Sequence, residues 1–305
     1  MKFNFRLDAT ATAWFKRQVE YIRTKTYDTK YKNLMASQAI PVSTEVPSAA
    51  RYIIHYVFTK VGIARILSGY NSKDFPAVDT YATEVEKKVY DIGDKYSYNI
   101  RDIETAQMDG MNLDSRRAQI CKQANDELVD DLAWNGDSNY NINGFFNYPG
   151  ITSYTLTTGT GGFLWTQKTG DEIIFDLTNF MDAVNVPTNG REIVDTILLP
   201  RAQFNLIKNK RMEGNSDKTV YMFFKENNPG VEIMAINELD GAGASGTDRM
   251  MAYVRDPDHL VQDIPKPFTQ SEPQQDGMEF NVFCISRFGG VTIFYPLSVA
   301  YCDGI

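Results

Sequence analysis

Histidine is the side chain that most often carries acid–base or metal chemistry near neutral pH, and this chain has only two. His55 lies in a run of residues that predicts a strand, with no plausible nucleophile close to it in sequence. His259 follows Asp256-Pro-Asp258, and together these side chains could hold a divalent cation. Asp-Pro-Asp is also a common turn sequence, and we favour the turn. A hydrolase that uses Asp256, Asp258 and His259 stays open as an alternative.

Two further motifs are close to known ligand loops, but each lacks an essential residue. The segment 139–144 has the opening spacing of a calcium loop, yet Gly150 stands where a bidentate acid is required. The segment 162–169 has the outline of a phosphate loop, yet Gln167 replaces the second glycine. We therefore expect no catalytic, cofactor-binding or metal-binding residues, no cofactor, and a structural protein in place of an enzyme.

Paired carboxylates and thiols do not change this expectation. Asp130 and Asp131 are adjacent on a predicted helix, so their side chains point about 100° apart and are expected to lie on a solvated face. Cys121, Cys284 and Cys302 lie in apolar patterns far apart in sequence, with no second cysteine at metal-ligand spacing. We expect three buried free thiols.

Composition and charge describe a globular protein with a basic arm. The 305 residues are 43% hydrophobic, which suffices for one large or two ordinary domains, and no apolar run is long enough to cross a membrane. Residues 1–32 carry eight basic and three acidic side chains, a net charge of +5 that leaves −13 on the rest. The arm is either a solvated helix face or a segment that contacts an acidic neighbouring subunit or nucleic acid. The acidic body argues against sequence-specific DNA binding.

Residues 50–100 predict a long β-excursion with polar residues on both faces. A hairpin of this kind buries little and is marginally stable alone in water, so we expect it to lie on another subunit. Its predicted strands are Tyr52 to Phe58, Ala64 to Leu67, Thr83 to Ile92 and Lys95 to Ile100.

The remainder predicts an α+β fold. The longest helix begins at the capping residue Asp114 and runs to Gly136, and two shorter ones are expected at residues 170–186 and 200–208. From Val220 onward strands dominate, and the chain is expected to end in a single buried strand. The predicted later strands are Tyr221 to Phe224, Val231 to Ile236, Met250 to Val254, Phe280 to Ser286 and the terminal run 287–305.

Four segments together resemble the major capsid, or encapsulating, proteins of tailed bacteriophages, which have the HK97-like fold. The resemblance extends over nearly the full chain, in the expected order. The segments are Ile40-Pro-Val-Ser-Thr-Glu-Val-Pro-Ser48, Trp134-Asn-Gly-Asp137 with Gly144-Phe-Phe-Asn-Tyr-Pro-Gly-Ile151, Leu198-Leu-Pro-Arg-Ala-Gln-Phe-Asn-Leu206, and Gly289-Gly-Val with Pro296-Leu-Ser-Val-Ala-Tyr-Cys-Asp-Gly-Ile305.

The resemblance implies a division of the chain into five parts. These are an N-terminal arm (residues 1–48), an E-loop region (49–105), a peripheral domain with a long spine helix (106–194), an axial domain (195–280) and a terminal strand that returns to the core sheet (281–305). It leaves no room for a long N-terminal scaffolding segment, which implies a separate scaffold or none. Some family members cross-link a lysine to a neighbouring asparagine. Lys60, Lys73, Lys87 and Lys88 lie in the E-loop region, but with no identifiable acid or partner asparagine we expect no cross-link.

The implied function is that of a shell subunit. Many copies would form pentamers and hexamers of an icosahedral shell around double-stranded DNA, assembled in the cytoplasm of a bacterial host and located in the virion. The implied partners are other copies of the chain, non-specifically bound DNA, and portal, separate scaffold and decoration proteins, with no membrane. An encapsulin-type nanocompartment and a tail or baseplate protein remain as alternatives.

Overall fold

The computed structural model describes residues 33–64, 77–99, 101, 113–214 and 217–305, and the predicted basic arm at 1–32 lies outside these residues. Leu34–Ile305 forms one compact unit. Its helices are α1 Ala36–Ala39, α2 Leu113–Trp134, α3 Gly170–Asn185, α4 Arg201–Asn209 and α5 Val220–Asn227. Its strands are β1 Val42–Ser43, β2 Tyr52–Val61, β3 Asp79–Lys88, β4 Tyr90–Asn99, β5 Gly136–Asp137, β6 Ile142–Asn143, β7 Thr152–Tyr154, β8 Thr196–Pro200, β9 Glu232–Ile236, β10 Arg249–Tyr253, β11 Leu260–Asp263, β12 Lys266–Gln270, β13 Gln274–Asp276, β14 Glu279–Phe288, β15 Gly290–Ile293 and β16 Val299–Asp303.

A mixed five-stranded sheet in the order β7-β16-β10-β8-β9 separates two hydrophobic cores. Because successive side chains of a strand point to opposite faces, Ile197 and Leu199 of β8 pack with α3, whereas Leu198 between them packs in the second core with Trp134 and Phe145. The strands are therefore continuous apolar runs, as expected of a sheet that is covered on both sides.

The predicted long helix is confirmed as α2, which has 22 residues and packs on β4 and β14. Its contacts include a buried hydrogen bond of 2.8 Å from Asn125 Nδ2 to Ser286 Oγ. The expectation that Asp130 is solvated is wrong, because its side chain is buried and accepts a 2.8 Å hydrogen bond from the Ala36 backbone N–H. Asp130 thus joins α1 to the spine helix, whereas Asp131 is exposed as expected.

The β-excursion is shorter than predicted. Within the described ranges, strands β2 and β3 pair only with each other over ten residues each, but β4 pairs along its whole length with β14 in a sheet with β12 and β13. The predicted strand Ala64 to Leu67 extends into residues outside these ranges. The break between the strands falls at Val89, not near Gly93, because the Val89 side chain is buried and its N–H bonds to the Arg51 carbonyl. Residues 90–99 therefore belong to the sheet that carries the spine helix.

Two other predictions of secondary structure are wrong. Tyr221 to Phe224 lies in helix α5, where the Thr219 hydroxyl accepts the Met222 N–H and places Val220 and Phe224 one turn apart on the buried side. The terminal run is not one strand. It contains the end of β14, then β15, which pairs with β11, a 3₁₀ turn that begins at Pro296, and β16, which lies between β7 and β10 in the five-stranded sheet. Helices α3 and α4 agree with their predictions, and no helix in the described ranges has the length and apolarity to span a membrane.

A buried ion pair connects the start of α3 to the loop before it. Lys168 Nζ lies 2.7 Å from Asp176 Oδ2, with both side chains only 1% exposed, and it also donates to the Thr157 carbonyl at 2.7 Å. The Trp165 indole N–H donates to the same carboxylate at 3.1 Å. Every polar atom of this cluster therefore depends on a partner, because burial removes the alternative of bonding to water.

We expect Lys168→Met to lower the free energy of unfolding by about 3–5 kcal/mol, because it leaves the Asp176 carboxylate buried without its cation. Urea unfolding of the purified chain measures this. Lys218→Met is the matched control, since the Lys218–Glu226 pair is about half exposed and should change the free energy by less than about 1 kcal/mol. Equal losses in the two variants would contradict the structural role of the buried pair.

Candidate assembly surfaces

The residues singled out as a possible hydrolase or metal site form a turn. The Asp258 N–H donates to Asp256 Oδ1 at 2.9 Å, and the His259 N–H donates to the Asp256 carbonyl at 2.9 Å, which confirms the turn. His259 Nε2 is 2.6 Å from Glu192 Oε2, so its partner is a carboxylate that the sequence did not indicate. Within the described ranges, no three histidine, cysteine or acidic side chains are grouped as a metal site would require.

The other motifs of the sequence also have structural roles. Segment 139–144 contains the end of the turn between β5 and β6, with Asn141 at φ 55°, and strand β6 itself. Lys168 of the phosphate-loop-like segment is the buried partner of Asp176. The three cysteines are buried and free, as expected, and burial raises the pKa of both Cys121 and Cys302 to about 12. Thiols with such pKa values are poor nucleophiles at neutral pH.

The β2–β3 hairpin exposes an apolar row that the sequence prediction missed. One face of β2 presents Tyr52, Ile54, Tyr56 and Phe58, all exposed, with Phe58 at 65%. The expectation that the hairpin is polar on both faces is therefore wrong for β2. That expectation came from the charged residues of β3. Aromatic and branched side chains are typical of interface cores, and monomeric proteins rarely expose them in one row.

The acidic residues of β3 lie on the same face as this apolar row. Glu86 is the cross-strand partner of Ile54, and Glu84 is the partner of Tyr56. Both glutamates are exposed. The face, which we call the hairpin outer face, therefore combines four apolar side chains with the negative charges of Glu84 and Glu86 and the positive charge of Lys88, the cross-strand partner of Tyr52.

The opposite face of the hairpin is attached to the body at its root. The Lys87 ammonium donates to the Val291 carbonyl at 2.7 Å and to Thr292 Oγ1 at 2.6 Å, and it lies 3.9 Å from Asp263 Oδ2. The His55 ring packs edge-on against the Phe294 ring, with centroids 5.4 Å apart. We call this group of side chains the hairpin root.

Burial controls the electrostatics of the hairpin root. It lowers the pKa of Lys87 to about 8 in spite of the nearby Asp263 carboxylate. Burial also raises the pKa of Asp263, against the opposing effect of Lys87. The pKa of His55 is lowered, first by burial and second by the Lys87 charge.

A groove of about 840 Å³ lies on the face of the β4–β14 sheet opposite to the spine helix. Phe283 and Ile285 of β14 are exposed in it, and Ile285 lies directly opposite Gly93 of β4. No bulge interrupts the pairing of these strands, so the register does not require a glycine. A glycine inside a regular strand often marks a place where another backbone approaches closely.

Basic side chains flank this groove. Lys95 lies opposite Phe283, and Lys266 of β12 lies opposite Arg287, whose guanidinium is 2.5 Å from the Asp91 carboxylate. Among the residues that the structure describes, neither Lys95 nor Lys266 is part of an ion pair. The groove lining therefore combines the apolar side chains with three cations, Lys95, Lys266 and Arg287, and two carboxylates, Asp91 and Asp94, of which Asp91 is paired with Arg287.

Comparison with known proteins identifies a family and a fold. The profile of the family described as Major capsid protein matches residues 62–305. The structure is similar to the capsid of Myoviridae phage XM1, with a TM-score of 0.80, 18% identity and coverage of 95% of this chain and 98% of that one. It is similar to a Mycobacterium phage Bobi chain, with a TM-score of 0.65, 13% identity and coverage of 99% and 100%.

A more distant likeness is to a virus-like particle from Pyrococcus furiosus, with a TM-score of 0.52, 14% identity and coverage of 87% and 91%. Among the curated proteins, none matches this sequence. At these identities the structural likeness concerns the fold, and it confirms the α+β, HK97-like fold.

Gly289 sets the close packing of the hairpin root, and we expect Gly289→Ala to destabilise the protein by about 1–3 kcal/mol through overpacking. A Cβ at this position would lie 2.7 Å from Ile53 Cδ1 and 3.0 Å from Asp263 Cβ. Gly230→Ala is the control, because its Cβ would meet nothing within 4 Å. Thermal unfolding of both variants compares them, and an unchanged Gly289→Ala protein would contradict the packing described.

Proposed function

The chain belongs to the major capsid protein family, and from this premise we propose that its copies assemble into the pentamers and hexamers of an icosahedral shell that encloses double-stranded DNA. The observation that carries the proposal is the hairpin outer face. Its apolar side chains are exposed in the single subunit, and burying them against a second copy would release them from water. A hairpin of two strands also gains stability when it packs on a further surface.

The remaining parts of the proposal follow from the family and from charge. The subunit acts as a structural protein located in the virion capsid, and it assembles in the cytoplasm of a bacterial host. The basic segment 1–32 neutralises some phosphates of the enclosed DNA, while the acidic remainder limits tight adhesion. Portal, scaffold and decoration proteins are its further partners. The division into N-terminal arm, E-loop, peripheral domain and axial domain is kept as part of this proposal.

The alternatives receive less support. A tail or baseplate protein and a hydrolase are not favoured, because the family is one of capsid proteins and the similar structures include phage capsids. An encapsulin-type compartment would share the fold, but the family match favours a capsid.

We propose that the hairpin outer face of one copy lies in the β4–β14 groove of a second copy. The apolar row would meet Phe283 and Ile285, with Gly93 allowing close approach of the backbone. Glu84 and Glu86 carry the charge opposite to that of Lys95 and Lys266. Charge complementarity of this kind fixes the register of two surfaces and disfavours wrong partners.

Assembly of this kind needs only modest energy per contact. Each copy both presents a hairpin and offers a groove, so every subunit in a closed ring makes the contact twice. Once a subunit is held at one contact, the next forms at a high effective concentration, and weak contacts therefore sum to a stable shell. The interface is accordingly sensitive to small changes in each contact.

The first prediction for assembly concerns the aromatic side chains. We expect Tyr56→Ser combined with Phe58→Ser to abolish shells at concentrations at which the unchanged protein forms them, because the apolar area of the contact is lost. Sedimentation velocity with negative-stain electron microscopy measures this. The control exchanges the two rings, Tyr56→Phe with Phe58→Tyr, which conserves the composition and should preserve assembly. Shells formed equally well by the double serine variant would contradict the role of the hairpin.

The second prediction concerns charge. We expect Glu84→Lys with Glu86→Lys to reduce assembly strongly, because four like charges would then face each other at the contact. Adding Lys95→Glu with Lys266→Glu to the same chain restores opposite charges and should restore shells, as light scattering can follow. If the variant with all four substitutions stays folded but forms no shells, the hairpin does not lie in the groove. That result would still allow assembly through another surface.

A further inference from the structure

The hairpin root brings three titratable side chains from three strands together at the point where the hairpin leaves the body. His55 comes from β2, Lys87 from β3 and Asp263 from β11. Thr292 Oγ1 links two of them, since it accepts from the Lys87 ammonium and donates to Asp263 Oδ2 at 2.9 Å. The root is therefore held by one compact polar cluster between the hairpin and the body.

His55 is the member of this cluster that lacks a polar partner among the described residues. Its Nδ1 atom is buried, and no described residue forms a hydrogen bond to it. The ring is held instead by the edge-on contact with Phe294. Lys87 already places one positive charge beside the Asp263 carboxylate, so a protonated His55 would bring a second cation into the cluster. The cluster is thus suited to a neutral imidazole and not to a charged one.

We propose that the hairpin root is an acid-sensitive hinge, in which neutral His55 is a positioning residue that holds the hairpin against the body and protonation of His55 releases it. The hinge is a property of one subunit. Only its consequence for the shell, that acid changes the angle at which the hairpin reaches a neighbour, rests on the proposed function.

The sign of the effect follows from the direction of each pKa shift. A released His55 has the ordinary pKa of 6.5, whereas the attached His55 has a lower pKa. As pH falls below 6.5, the released form takes up the proton first, and the ratio of released to attached hairpins rises by up to tenfold for each pH unit until the attached form is also protonated.

The two other titratable groups act in their own pH windows. Lys87 has a pKa lowered to about 8 in the attached form, so raising the pH from 8 toward 10.5 favours attachment. Asp263 has a raised pKa, so its protonation favours attachment as the pH falls and opposes His55. Glu45 acts on the cluster through Asp263, whose pKa it raises. Release on acidification therefore depends on His55, and without its imidazole acid would favour attachment.

The test uses the unassembled full chain with spin labels at Thr83→Cys on the hairpin and Thr178→Cys on α3, both exposed positions. The native thiols are buried and should stay unlabelled. We expect a single narrow distance distribution at pH 8 and a second, broader population that grows between pH 6.5 and 5. Sedimentation velocity at each pH verifies that the sample is not assembled.

His55→Phe is the decisive variant, because it keeps a ring against Phe294 and removes the titration, and we expect it to stay in the narrow distribution at pH 5. An acid response equal to that of the unchanged chain, or no response of the unchanged chain between pH 8 and 5, would overturn the hinge. If acid releases the hairpin but the chain never forms shells, the hinge stands and only the assembly proposal is overturned.

A second measurement does not depend on the His55 variant. Nuclear magnetic resonance should give a His55 pKa below 6.5 in the unchanged chain, and Lys87→Met should raise it toward 6.5 by removing the neighbouring cation. Lys88→Met is the matched control, since Lys88 is the next residue on β3 and its side chain is exposed on the other face. Equal effects of the two variants, or a His55 pKa at or above 6.5 in the unchanged chain, would contradict the cluster.

Discussion

Strands β2 and β3 pair only with each other, and the hairpin outer face they form packs on nothing within the described subunit. The rest of the structure depends on this constraint, because the hairpin outer face needs a surface to cover it. A two-stranded ribbon with an exposed aromatic row is unfavourable in water unless a second surface covers it. We propose that this covering surface comes from another copy of the chain. The rest of the fold provides a rigid body from which the hairpin extends.

Rigidity comes from a sheet with a core on each side and from polar contacts at the places where segments meet. Asp130 holds α1 to the spine helix, Lys168 and Asp176 hold the start of α3, and Lys87 holds the hairpin root. Each of these side chains is costly to bury without its partner, so each favours one arrangement of the segments that it joins. The same chemistry makes the root sensitive to pH, because one of its members, His55, has no polar partner in the described structure.

Much of the fold could be predicted from the sequence, because the apolar residues of helices α2 and α3 recur at helical spacing, although α2 begins at Leu113 and the predicted cap Asp114 lies inside it. The aromatic run at 221–224 misled the prediction, since a short apolar run suits a strand or a buried helix equally well and only the Thr219 cap separates them. The surfaces were less predictable. Lys87 meets Val291 and Thr292 more than 200 residues away, a contact that no local pattern encodes. Gly93, inside the unbroken strand β4, is a signal that could have indicated the groove, but the sequence analysis places it in the gap between two predicted strands.

The most direct test of the central claim is electron cryomicroscopy of particles assembled from the purified chain, at a resolution that traces the backbone of each copy. The account predicts closed shells in which the β2–β3 hairpin of one copy lies in the β4–β14 groove of a neighbour, with Glu84 and Glu86 near Lys95 and Lys266. A shell in which the hairpin outer face stays exposed to solvent, or a protein that stays monomeric at every concentration and salt, would contradict it.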